Sequence, residues 1–213
     1  MEEATNLVVI EKESKMGIRP PPREIYLAPH ADALKPDEYE TEHFAYQASK
    51  YGHAKQVRDD GARYFDHPKA AAWIYINELE GRDPRAIIDL LLHDLSEDTH
   101  LLSPYRLSKN FGESIALDVH ALTKLPKGKE RTEQYLARVV ERGLAAIIAK
   151  LCDRLHNLRE LSACPPEKQQ RQIVETREYH LPILLPALRE LGAEAVVLAN
   201  LDEHKINAAL AAI

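Results

Sequence analysis

The chain has 213 residues, of which 45% are hydrophobic and 29% charged, the balance of one soluble globular domain. Its net charge of -6 and pI near 5.9 disfavour binding to long duplex nucleic acid, which needs a basic face, but leave open a small anion held by local cations or a metal. No apolar run long enough to span a membrane and no basic-then-apolar leader occurs, so the expectation is a cytoplasmic protein without a membrane partner.

Residues 1–38 read as an extension. A β-prone run, Leu7-Val8-Val9-Ile10, gives way to Arg19-Pro20-Pro21-Pro22-Arg23, whose prolines exclude a continuous helix. Residues 39–213 read as one helical domain, favoured by many Ala, Leu, Glu and Arg and only 8 glycines. A first helix is predicted over 41–54, then a polar loop over 55–65 containing Gly61. Proline in a first turn starts the next helix at His67-Pro68, which runs to Gly81. Asp83-Pro84 is an N-cap and first-turn pair, and Ser103-Pro104 opens a short helix that stops near Gly112.

Further helices are predicted over 113–125, 130–142 and 144–162. Pro165-Pro166 opens another to about 181, after which Pro182, Pro186 and Gly192 break the chain before terminal helices. Cys152 and Cys164 lie 12 residues apart in or beside one helical segment. Some 18 Å of continuous helix would separate them, too far for a disulfide, so free thiols are expected. Trp73 sits among alanines and isoleucines at helical spacing and reads as core.

Three segments carry unusual polar residues. The apolar run 87–92 leads directly into His93, Asp94, Glu97 and Asp98. On a continuous helix His93 would lie above Glu97 and Asp94 above Asp98. In residues 147–159, Ile147, Ile148, Leu151, Leu155 and Leu158 form a core stripe, while Lys150, Asp153 and Asn157 form another, presenting a cation, a carboxylate and an amide along one side. His67 stands at its own helix start. A histidine before proline, or a His-Asp dipeptide, is commonplace alone; the combination is not. Two imidazoles and two carboxylates from His67, His93, Asp94 and Asp153 suit one Mn²⁺, Fe²⁺, Zn²⁺ or Mg²⁺, and the lack of a Cys cluster argues against structural zinc. The cationic stretch 124–131 reads as a solvated loop or as a phosphate-attracting rim.

Four blocks in order resemble HD-domain hydrolases of the RelA/SpoT type, specifically a stand-alone small alarmone hydrolase. They are the Arg58-x-x-Gly61-x-x-Tyr64-x-x-His67-Pro68 frame, Leu92 to Thr99, Leu122-Thr123-Lys124-Leu125, and Lys150 to Arg159, within a match over about 42–192. The resemblance implies an all-α HD-domain bundle behind the irregular N-terminal arm. It implies that His67, His93, Asp94 and Asp153 hold one divalent metal, usually manganese, and that Glu97 and Asp98 are catalytic. Arg58 would lie against the base and Asn157 near the ribose and 3′-phosphate. The implied reaction removes the 3′-pyrophosphate of (p)ppGpp. Lys150 or Arg154 is the candidate for stabilising phosphate charge. Asp59 and Glu160 depart from the family pattern and make the presumed base and phosphate surroundings more acidic, which brings in adenine alarmones and the 2′-phosphate of NADPH as alternatives. A nucleotide-binding regulator without turnover is the alternative outside enzymology. Whether copies of the chain associate is not derivable from these residues.

Overall fold

The computed structural model describes residues 35–59, 61–98, 103–126 and 128–213, apart from the side chains of Glu97 and Asp98. The expected arm over 1–38 therefore lies almost wholly outside the described residues. Among the described residues the architecture is all-α, with a single β-bridge pair, Val57 with Arg63.

Helix α1 spans Pro36–Gly52, five residues earlier than periodicity alone indicated. Pro36 occupies the first turn and the Glu38 carboxylate accepts from the Lys35 backbone N–H at 2.9 Å, so local capping sets the start. Helix α2, Asp66–Trp73, passes into a π turn over Ile74–Glu78 rather than continuing to Gly81. Gly81 is required there: a Cβ would fall 2.0 Å from Cε2 of Tyr75.

Helix α3 runs Pro84–Leu92, capped by the Asp83 carboxylate on the Arg85 N–H as the sequence predicts. The short α4 covers Leu95–Asp98. His93 and Asp94 occupy the turn between them, so the single continuous helix expected here is broken. The cause is local. His93 Nδ1 donates to the Leu90 carbonyl at 2.8 Å, capping a helix-end acceptor with a side chain.

Helices α5 (Pro104–Phe111) and α6 (Glu113–Leu122) follow, then α7 (Thr132–Glu141) and α8 (Leu144–Arg159). A 3₁₀ turn at Leu161–Ala163 leads to α9, Pro166–Glu175. Here the structure corrects the expected break at Pro182 and Pro186. A π turn over Thr176–His180 joins α9 directly to α10, Leu181–Arg189, which contains both prolines. Pro182 falls in the first turn after the π turn, where its missing N–H costs least, and burial of Leu184, Leu185 and Leu188 offsets the interior Pro186. Gly192, at φ 123°, does end the helical path before α11, Ala193–Ala211.

Helix α8 is the axis of the bundle and packs on α2, α3 and α11. Ile147, Ile148, Leu151, Cys152 and Leu155 are fully buried, and each large apolar side chain contributes about 1.5–3 kcal/mol on leaving water. That packing holds the polar stripe of α8 in a fixed position against α2 and the α3–α4 turn. Cys152 and Cys164 are both free. Trp73 is half-buried and packs against the core. No helix among the described residues is long and apolar enough to cross a membrane.

Candidate metal centre

Three separate elements bring four candidate ligands together, and one atom each from His67, His93 and Asp153 lies within 4.8 Å of the others. His67 comes from the first turn of α2, His93 and Asp94 from the α3–α4 turn, and Asp153 from the middle of α8. His67 Nε2 lies 3.0 Å from Asp153 Oδ1 and 3.6 Å from Asp94 Oδ2. His93 Nε2 lies 3.2 Å from Asp94 Oδ2 and 3.6 Å from Asp153 Oδ1. Donors about 2.0–2.2 Å from a shared cation stand roughly 2.8–3.6 Å from their neighbours, so this spacing fits one metal ion.

The protonation pattern fits as well. His93 uses Nδ1 on the Leu90 carbonyl, while its buried Nε2 has no hydrogen-bond partner among the described residues. Without a cation, burial pushes the His93 pKa down, but Asp94 and Asp153 outweigh it and hold the ring well above its usual value. Burial raises both carboxylates, and neighbouring positive groups reverse this: His93 foremost for Asp94, Lys150 foremost for Asp153. A proton therefore stands in for positive charge at a place where a divalent cation could replace it.

Around these donors is an orienting layer. Tyr64 Oη donates to Asp94 Oδ2 at 2.9 Å, Lys150 Nζ to Asp153 Oδ2 at 2.6 Å, and Asn157 Nδ2 to Asp153 Oδ1 at 2.5 Å. His67 turns its other nitrogen, Nδ1, to Nδ1 of His156 at 2.8 Å. Burial, then His67 and Arg58, keep the His156 pKa well below normal, so this ring is neutral.

Arg58 is not a solvated charge. It donates to Asn157 Oδ1 at 2.8 Å, meets Glu160 Oε2 at 2.9 Å and lies 5.7 Å over the Tyr64 ring. The 56–64 loop is held by Arg58 N–H to the Ala62 carbonyl and Tyr64 N–H to the Gln56 carbonyl, which fixes Arg58 beside the α8 stripe. Both departures from the family pattern are matched by cations: Glu160 by Arg58, and Asp59 by Lys168. The more acidic surroundings expected from these two residues are thus locally neutralised.

Arg154 is 2% exposed rather than a surface ion pair. Its Nη2 meets His180 Nε2 at 2.8 Å, and Nε and Nη1 have no hydrogen-bond partner among the described residues. Burial, then Arg154 and Lys150, push the His180 pKa down to about 2, so it is a neutral acceptor for the guanidinium. Burial and then Lys150 and Arg154 also lower Lys124. Lys124 and Lys150 approach the same Tyr135 ring, at 5.6 and 5.4 Å. A concentration of cations therefore borders the donor cluster, suited to an anion. Arg159, by contrast, forms a surface ion pair with Glu78 at 2.6 and 2.8 Å.

A family model for the HD domain matches residues 45–179, more than half of the chain. The chain belongs to the HD-domain family. This HD domain is 34% identical over 158 residues to a probable GTP pyrophosphokinase of Mycobacterium leprae, covering 71% of this chain and 19% of that protein. It is 37% identical over 142 residues to a guanosine-3′,5′-bis(diphosphate) 3′-pyrophosphohydrolase of Haemophilus influenzae, covering 62% and 20%. With the bifunctional (p)ppGpp synthase/hydrolase SpoT of Escherichia coli it shares 32% identity over 169 residues, covering 71% and 24%. The HD domain thus spans about a fifth to a quarter of the length of these curated relatives. Among solved structures, a metazoan ortholog of SpoT described as hydrolysing ppGpp shares the fold, with a TM-score of 0.61, 23% identity, and coverage of 77% of this chain and 94% of that one.

The structure brings together all four sequence-predicted metal ligands, with Arg58, Lys150 and Asn157 beside them and Arg154 next to Asp153 on α8. The side chains of Glu97 and Asp98 lie outside the description. Tyr64, His156, Lys124 and His180 were not singled out as site residues in sequence. Tyr64 had a signal, three residues ahead of His67 in the first frame, and His156 had another, four residues ahead of Glu160 on one helix face.

Proposed function

We propose that this HD domain hydrolyses the 3′-pyrophosphate of alarmone nucleotides, (p)ppGpp or (p)ppApp, releasing GDP, GTP or the adenine equivalent together with pyrophosphate. The observation that carries this reading is the donor cluster of His67, His93, Asp94 and Asp153 lying between a loop-borne arginine, Arg58, and the buried cations Lys150 and Arg154. The activities named for the Haemophilus and Escherichia relatives point the same way.

Those four residues would hold the metal, and Mn²⁺ is our choice for a mixed imidazole–carboxylate set. When bound, such an ion shields phosphate charge and lowers the pKa of water at the site. Arg58, fixed by Asn157 and Glu160, presents a cationic plane to the base. Arg154, whose Nε and Nη1 have no hydrogen-bond partner among the described residues, lies in a nearly water-free environment, where a hydrogen bond to phosphate oxygen is strengthened. Lys150 stays charged because Asp153 outweighs its burial, and it adds positive potential on the same side. Glu97 and Asp98, from the α4 turn that follows the ligands, are assigned to position the attacking water and accept its proton.

Turnover of ppGpp, ppApp and NADPH by the purified protein with added Mn²⁺, against an EDTA-treated control, tests the reading. Pyrophosphate release from ppGpp or ppApp that EDTA abolishes supports it and names the base. Phosphate release from NADPH alone replaces the substrate, and binding without turnover of any of the three makes the protein a nucleotide-binding regulator.

A further inference from the structure

One acidic side chain touches both halves of this site. Glu160, the residue just beyond the last turn of α8, divides its two carboxylate oxygens. Oε2 lies 2.9 Å from Nε of Arg58, and Oε1 lies 3.5 Å from Nε2 of His156. His156 in turn receives His67 Nδ1 on its Nδ1, at 2.8 Å. The tautomers follow from one requirement. With a metal ion on Nε2, His67 would carry its hydrogen on Nδ1, so His156 would accept at Nδ1 and keep its own hydrogen on Nε2, facing Glu160. The chain closes on itself, since Arg58 also bonds Asn157, and Asn157 bonds the Asp153 oxygen that meets His67.

We propose that Glu160 is a positioning residue that ties the base-facing arginine to the metal centre, holding Arg58 with one oxygen and, through His156, the ring of His67 with the other. This deepens the function proposed above and rests on it only for the nucleotide side. The arrangement makes the metal site and the base site share one carboxylate, so loss of that carboxylate is felt at both. Outer partners of metal-bound histidines are worth about 10–100-fold in metal affinity.

The test uses the full chain. Glu160→Gln keeps size and one acceptor oxygen but removes the charge, and its Mn²⁺ dissociation constant is measured by calorimetry with no nucleotide present. We expect it to rise about tenfold, with the KM for ppGpp rising more than kcat falls. A Mn²⁺ constant within twofold of the parent overturns the proposal. His156→Asn supplies a second variant: because both residues act through one chain, the losses of Mn²⁺ affinity in the double variant should fall short of their sum, and strictly additive losses overturn the relay. Thermal unfolding of each apo variant establishes that the fold is intact. If the parent turns over no alarmone while Glu160→Gln still loses Mn²⁺ affinity, the function proposed above fails and the relay stands.

Discussion

Lys150 donates a 2.6 Å hydrogen bond to Oδ2 of Asp153, the oxygen other than the one that meets His67 and His93. Both residues are nearly inaccessible to solvent, so the pair is a buried ion pair and Asp153 serves the donor cluster and the fold together. Asp153→Ala should therefore do two things. Metal content, read by elemental analysis after dialysis, should fall to background, with turnover undetectable. Apo stability should drop by about 3–5 kcal/mol, because Lys150 is left charged and buried without its carboxylate. Asp153→Asn should lose the metal with a smaller loss of stability, a difference that thermal melts resolve.

Glu97→Ala separates base from ligand. If Glu97 accepts the proton of the attacking water, the variant keeps one equivalent of Mn²⁺ and loses about 10²–10⁴-fold in kcat. Equal loss of metal in Glu97→Ala and Asp153→Ala would remove the distinction drawn between them.

Arg154→Met removes a buried guanidinium whose Nε and Nη1 have no hydrogen-bond partner among the described residues, and leaves the four candidate ligands in place. The Mn²⁺ constant should stay within about threefold of the parent, while kcat/KM for the alarmone falls about 10²-fold, the scale for loss of a charge-stabilising donor. A metal constant that moves as far as the rate would place Arg154 with the ligands' support instead.

A fourth outcome concerns pH and lies away from the site. Asp202 of α11 is fully buried beneath the Glu78–Lys205 and Glu78–Arg159 ion pairs, and neither of its carboxyl oxygens has a hydrogen-bond partner among the described residues. Burial pushes its pKa up to about 8, with Lys205 and Arg159 opposing and Glu78 reinforcing. An unfolded carboxyl titrates near about 3.9, so between these values the folded chain binds a proton that the unfolded chain lacks. This contribution to stability is fully present below about pH 4 and is lost as pH rises to about 8. Asp202→Asn carries no such proton, so its melting temperature relative to the parent should increase from pH 5 to pH 8.5, with a gain of about 1–3 kcal/mol at the upper end. A pH-independent difference would mean that Asp202 is ionised in the fold.

Legibility in the sequence tracks how local the cause is. Asp83-Pro84 and Ser103-Pro104 announce helix starts because the cap and the first-turn proline act within three residues, and the structure caps Arg85 and Arg106 as those pairs require. Gly192 announces a break for the same reason. The interruption at His93-Asp94 was hidden, because the apolar run 87–92 continues a helical period straight into it, and the His93 ring sits on the Leu90 carbonyl where the helix ends. Pro182 and Pro186 misled in the other direction, since a π turn and core burial absorb them.

By itself, the sequence determined an all-α HD domain, a polar stripe on residues 147–159, and the residue types of the donor cluster, because periodicity and side-chain chemistry are read one segment at a time. Only the tertiary structure decided that His67, His93 and Asp153, separated by up to 86 residues, present donors to one point, and that Glu160 reaches both Arg58 and His156. The physical reason is that α8 is buried on nearly every side: its packing against α2, α3 and α11 leaves one orientation in which the polar stripe meets the α2 start and the α3–α4 turn, and no local pattern encodes that meeting.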